Sequence, residues 1–97
     1  MLRSFQVSEN FKRRSTKLIK SGSITNSLIG KVIELICNNP GNPRLRTHKV
    51  NSRNFGKKYS SKVTGDVRII WDYSETDPKV IILLDIGGHS GKHSVYN

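Results

Sequence analysis

At 97 residues with 34% hydrophobic content, the chain has room for one domain and one modest core, which excludes a thick multilayer fold. Its 17 Lys and Arg against 7 Asp and Glu give a formal charge of +10, an imbalance that favours a polyanionic partner through counterion release from phosphates. The alternative for such charge is a solvated basic face that only aids solubility. The lone Cys37 excludes an internal disulfide and fits a reducing compartment. No apolar run is long enough to span a bilayer as a helix, and the N-terminus carries no signal-peptide pattern. A soluble cytoplasmic protein with no membrane partner is the reading that follows.

In chain order, Arg3-Ser4-Phe5-Gln6-Val7 alternates and predicts a first strand. Ser8 is an N-cap, with Glu9 in the first turn where an acid suits the helix dipole. Phe11, Ser15, Leu18 and Ile19 then fall on one helical stripe, with Lys12, Arg13, Arg14, Lys17 and Lys20 largely outside it. A transit peptide or membrane-surface helix is the rival, but the apolar stripe is thin and the preceding strand suits a folded domain. Gly22 breaks this helix. Ser23 or Thr25 caps a second one that runs to about Asn38, with Leu28, Val32, Leu35 and Ile36 as its stripe and Ile29 and Ile33 widening it. Gly30 inside this helix costs about 1 kcal/mol relative to Ala, so close packing against a neighbour is expected there. Cys37 reads as a packed thiol. The run Asn38-Asn39-Pro40-Gly41-Asn42-Pro43 ends the helix.

Residues 44–62 are polar and basic, with Leu45 and Val50 as anchors to the core. No acid occurs between Glu34 and Asp66, while Arg44, Arg46, Lys49, Arg53, Lys57, Lys58 and Lys62 all fall there. Residues 51–56 read as loop, and Tyr59 to Val63 as a strand that turns at Thr64-Gly65. Val67, Ile69, Trp71 and Tyr73 then alternate with Arg68, Ile70 and Asp72, which sets the first group on one sheet face. Residues 74–79 form a turn, and the apolar run from Val80 reads as a central strand paired antiparallel with its predecessor. The summed pattern is βααβββ: an α+β domain over residues 1–97, a small antiparallel sheet with an αα-hairpin packed on one face. Trp71 and Tyr73 belong to the core on this pattern. Phe55 and Tyr59, amid basic residues, are the candidates for base stacking.

An anionic partner and three histidines direct attention to metal-free RNA cleavage. The 2′-hydroxyl attacks the adjacent phosphate, so a base must take its proton, an acid must protonate the departing 5′-oxygen, and cations must balance the added negative charge. Histidine suits the proton steps because it titrates near neutrality, and Arg and Lys suit the charge. His48 lies between Arg46 and Lys49, and His89 follows the central strand. Asp66 and Arg68, two apart on one strand, share a face. His89 and His93 have the i, i+4 spacing of metal ligands on a helix. The glycines at 87, 88 and 91 argue against a helix there and no third ligand is indicated, so no metal or other cofactor is expected.

The segments Thr47-His48-Lys49, Gly65-Asp66-Val67-Arg68 and Ile86-Gly87-Gly88-His89, with Val95-Tyr96 closing the chain, resemble the RelE/ParE superfamily of bacterial toxins. The similarity is to its RelE/StbE and YafQ-like mRNA interferase branch. It spans nearly the whole chain, weakly over the strand-helix-helix start and well over the last fifty residues. The resemblance implies a RelE-like fold and the toxin of a type II toxin–antitoxin system, a ribosome-dependent mRNA endoribonuclease silenced by a cognate antitoxin, with operator DNA reached only through that antitoxin. It assigns proton transfer to His48, Asp66 and His89, charge stabilisation to Arg68, and substrate positioning to Tyr96. Arg46, Lys49, Lys57, Lys58 and Lys62 are the candidates to hold RNA phosphates. The sequence departs from the family twice. Lys62 stands where some YafQ-like relatives have another catalytic histidine, and lysine as a residue type, with an unperturbed pKa of about 10.4, is a charge stabiliser before a base. The spacing from His89 to Tyr96 is also longer than usual, which brings His93 forward as an alternative working histidine; the glycines before His89 keep His89 in the family's register. The rival readings are a ParE-like DNA gyrase inhibitor without nuclease chemistry and a degenerate toxin that only binds its antitoxin.

Overall fold

A computed structural model describes residues 2–88 and 94–96. Strand β1 (Ser4–Val7) leads into helix α1 (Glu9–Lys20), whose N-cap Ser8 accepts a hydrogen bond from the Phe11 amide at 3.0 Å. Gly22, at φ +78°, ends α1 in the left-handed region that glycine adopts without a Cβ clash. Helix α2 (Asn26–Asn38) is capped by Thr25, which accepts from the Leu28 amide. Of the two caps the sequence allows, Thr25 is used, and Ser23 instead faces the Ser21 hydroxyl.

A short 3-10 helix (Pro43–Leu45) buries Leu45, and four strands follow: β2 (His48–Ser52), β3 (Gly56–Lys62), β4 (Val67–Tyr73) and β5 (Val80–Gly88). The sheet order is β1-β5-β4-β3-β2. The architecture is α+β with two helices on one sheet face, as the sequence pattern predicts, and it differs in two details. β1 joins the sheet parallel to β5, a crossover that the two intervening helices make possible. His48–Ser52 forms an additional strand antiparallel to β3. This segment has no apolar alternation to announce it, because it is an edge strand held by main-chain pairing and its side chains are mostly exposed.

The core lies between the helices and one sheet face. Phe11, Ile24, Ile29, Val32, Ile33, Ile36 and Cys37 meet Leu45, Val67, Ile69, Trp71, Ile81, Leu83 and Ile86. Tyr59 stacks on Trp71 with ring centroids 4.9 Å apart, and Tyr73 packs edge-on against both rings. This corrects the sequence-based expectation for Tyr59: its ring belongs to the packed aromatic cluster and is not a free platform for bases. A second correction concerns Gly30. It is exposed on the outer surface of α2, and a Cβ added there meets nothing within 4 Å, so no close packing explains it. A bulge at β5 between Leu83 and Asp85 shifts the β4–β5 register. It lets Leu83 and Ile86 both face the core while Leu84 presents its carbonyl to Ser8 and Asn10 on α1.

Candidate nucleic-acid interface and active site

Cross-strand pairing sorts the candidate residues by face. His48 pairs with Ser60, Ser60 with Ile70, and Ile70 with Asp85, one row across four strands. Lys62, Arg68 and Gly87 form the next row on the same face, because residues two apart on a strand point the same way. This is the face turned away from α2. Lys49 and Lys57 alternate to the other side, where the Lys49 ammonium sits 5.9 Å from the Tyr59 ring centroid. Only part of the basic run therefore shares a surface with His48.

His48 is exposed at the start of β2, and its Nδ1 lies 2.8 Å from the Arg46 carbonyl oxygen. A carbonyl only accepts, so this contact requires hydrogen on Nδ1 and leaves the Nε2 lone pair of the neutral ring outward. The carbonyl is aimed there by Arg46 itself, which has φ +47° after the 3-10 helix. That left-handed conformation costs a non-glycine residue about 1–2 kcal/mol.

Arg68 is half-buried and donates from Nη1 to the carbonyls of Thr64 at 2.6 Å and Val67 at 3.2 Å. Both bonds use one nitrogen, so the guanidinium is held in place and keeps donors for a phosphate. Asp66 lies outside β4, in the exposed turn before it, where the Thr64 hydroxyl accepts from the Asp66 and Val67 amides. The expectation that Asp66 and Arg68 share a strand is corrected accordingly: the Thr64 turn closes first and the strand begins at Val67. Lys62 is half-buried across from Arg68. Lys58 is ion-paired with Asp72 at 3.1 Å, so its charge is largely matched. Arg46 is exposed ahead of β2. His89 and His93 lie outside the described residues.

The Tyr96 hydroxyl and Ser60 Oγ are 2.6 Å apart, which brings the tail onto the His48 face. Val95 is fixed through both of its main-chain groups: its amide donates to the Gly88 carbonyl and its carbonyl accepts from the Arg53 amide. Ser60 is a residue that sequence reasoning missed, and a serine inside a basic strand gives no signal of it. Asp85 is different. It is fully buried, with both carboxylate oxygens at 3.0 and 3.1 Å from Arg14 Nη1. A lone acid inside an apolar strand demands a cation, and the basic helix α1 supplies it.

Among the described residues no group of three His, Cys, Asp or Glu side chains is placed to hold a metal ion, and no helix is long and apolar enough to cross a membrane. Burial pushes the Cys37 thiol above its ordinary 9.0, with Arg3 acting the other way. The thiolate is disfavoured, so Cys37 is a poor nucleophile at neutral pH.

The sequence matches no family model and no curated protein. Solved structures do match over almost the full length of both chains. A metal-bound toxin from Helicobacter pylori aligns with a TM-score of 0.73 at 19% identity, covering 92% of this chain and 96% of the other. YafQ from E. coli strain BL21(DE3) gives 0.67 at 18%, covering 89% and 92%. YafQ in the E. coli DinJ–YafQ toxin–antitoxin complex gives 0.67 at 16%, covering 92% and 94%. The fold is that of YafQ. In this YafQ-like frame His48, Lys62 and Arg68 are the accessible side chains of the two rows, Ser60, Ile70 and Asp85 are buried between them, and Tyr96 reaches the same face through Ser60.

Proposed function

We propose that this chain is the toxin of a type II toxin–antitoxin pair and that it cleaves mRNA on the ribosome through the 2′-hydroxyl. The observation that carries the reading is His48: an exposed imidazole with its tautomer fixed by the Arg46 carbonyl, on the same sheet face as Lys62, Arg68 and Tyr96. In the reaction, His48 Nε2 accepts the 2′-hydroxyl proton as that oxygen bonds to phosphorus. The P–O5′ bond breaks, leaving a 2′,3′-cyclic phosphate, and an acid returns a proton to the 5′-oxygen. His89 is the candidate for that acid, with Asp66 assisting one of the two histidines. Arg68 and Lys62 balance the charge that builds on the phosphoryl oxygens, and the Tyr96 phenol positions the substrate. DinJ–YafQ forms a toxin–antitoxin complex, and a chain of charge +10 suits an antitoxin whose covering segment is acidic and partly disordered when free.

The test is tightly controlled expression with mapping of mRNA 5′ ends. The wild-type chain should produce in-frame cuts confined to translated regions. His48→Ala should lose about 10²-fold or more of this cleavage with an unchanged melting temperature, since the side chain is exposed. Cuts at wild-type frequency in His48→Ala would overturn the assignment of the base. Growth arrest with DNA damage and intact mRNA would point to a ParE-like gyrase inhibitor instead.

A further inference from the structure

A cavity of about 610 Å³ lies between α1 and the β2–β3 turn, lined by Arg13, Arg14, Lys17, Arg53, Gly87 and Ser94 among others. Asn10, Arg13, Arg14 and Lys17 face it because i, i+3, i+4 and i+7 positions share one side of a helix. Arg14 is committed to the buried Asp85 carboxylate. Among the described lining residues no acid meets the other three cations: Arg13 Nη2 donates at 2.8 Å to the neutral Asn10 side chain, and the backbone of Arg53 is bonded to Val95. Converging like charges around a concavity focuses positive potential there. The volume lies within the range of small-ligand sites and accommodates a nucleotide unit, its phosphate toward the cations.

The position says what enters. Gly87 lines the cavity and pairs with Arg68, and Ser94 lines it two residues before Tyr96. The cavity therefore borders the His48 face at the end of β5. We propose that it is a second phosphate subsite, taking a backbone phosphodiester of the same RNA strand whose scissile phosphate lies at Arg68. This rests on the RNA-cleaving reading for the identity of the strand, and binding can be measured without any cleavage.

The experiment measures affinity of the full chain for 2′-O-methyl RNA, which lacks the attacking hydroxyl, as a dinucleotide and as a longer strand over a range of salt. Lys17→Ala/Arg53→Ala is compared with Lys31→Ala/Lys79→Ala, a control of equal charge. Lys79 precedes β5, about 26 Å along the strand from Gly87 and beyond the screening length of ~10 Å at 0.1 M salt. Arg14 is left intact because it holds Asp85. Lys17→Ala/Arg53→Ala should bind the longer strand about tenfold more weakly with a salt slope shallower by about 1.4, and bind the dinucleotide as wild type does. The control pair should leave both unchanged. Equal losses in the two pairs, no loss in either, or an equal loss for the dinucleotide would overturn the subsite. A cavity that instead took an acidic peptide, with RNA affinity untouched by Lys17→Ala/Arg53→Ala, would belong to a protein partner. Loss of cleavage in His48→Ala leaves each of these outcomes readable, so the two proposals fail separately.

Discussion

The two faces of the sheet are built from the same strands and bury their residues for different reasons. On the helix side, Ile69, Trp71, Leu83 and Ile86 are at most 1% exposed and meet apolar side chains of α1 and α2. At the alternate positions Ser60, Ile70 and Asp85 are fully buried as well, and the two polar ones each have a named partner, Tyr96 for Ser60 and Arg14 of α1 for Asp85. Among the described residues no buried side-chain polar atom lacks a hydrogen bond. A strand can thus spend one side chain in two on stability and leave the alternate ones for chemistry, provided that whatever polar group it buries is satisfied. Replacements on the first face should report mainly as stability, and those at His48 mainly as activity.

The largest stability effect is expected at Trp71. Its ring sits in the aromatic cluster and its Nε1 donates to Ser61 Oγ at 2.8 Å, with Thr47 Oγ1 on the same serine at 2.6 Å. Trp71→Ala should cost about 3–5 kcal/mol in urea unfolding. A loss below 1 kcal/mol would mean that the helix-side face is not the stabilising one. Asp85→Ala comes next and tests the other face. It removes the acid that Arg14 is bonded to, and breaking a fully buried pair costs about 3–5 kcal/mol. Arg14 keeps 17% side-chain exposure and can turn to water, so about 2–3 kcal/mol is expected. Asp85→Ala melting with wild type would show that the Arg14–Asp85 pair does not hold this face together.

How much of this division is legible in the sequence depends on which signal marks a residue. β4 announces its core face through the alternation of Val67, Ile69, Trp71 and Tyr73 with Arg68 and Asp72, which only Ile70 breaks, so Trp71 and Tyr73 fall in the core as the pattern predicts. Both helices carry N-caps and apolar stripes and begin where those signals lie. β2 has no alternation, since an edge strand is held by the backbone of its neighbour, and HKVNS is silent about that. Tyr59 was surrounded by lysines in sequence, but alternation turns Lys58 to the other face and the ring to Trp71. Asp66 falls before the strand because Thr64 captures two amides in the turn, a local competition that residue spacing does not register. The Arg46 left-handed backbone, which orients His48, is invisible in sequence because arginine has no preference for it.

Gly30 belongs to neither face, and that makes it the smallest and cleanest probe of the division. It sits mid-way along α2 on the exposed side, has no positive φ, and would meet nothing within 4 Å on gaining a Cβ. No steric cost opposes the helical preference of alanine, worth about 1 kcal/mol over glycine, so Gly30→Ala should stabilise by about that amount. In a domain of this size the melting temperature should rise by roughly 4–8 °C. Cleavage and binding of 2′-O-methyl RNA should not change, since both faces of the sheet are untouched. If Gly30→Ala instead melts lower, the outer surface of α2 is tighter in solution than its open geometry allows. If it melts higher but loses antitoxin binding, that surface is where the partner's backbone lies against the helix, and the glycine is explained by a contact made only in the complex.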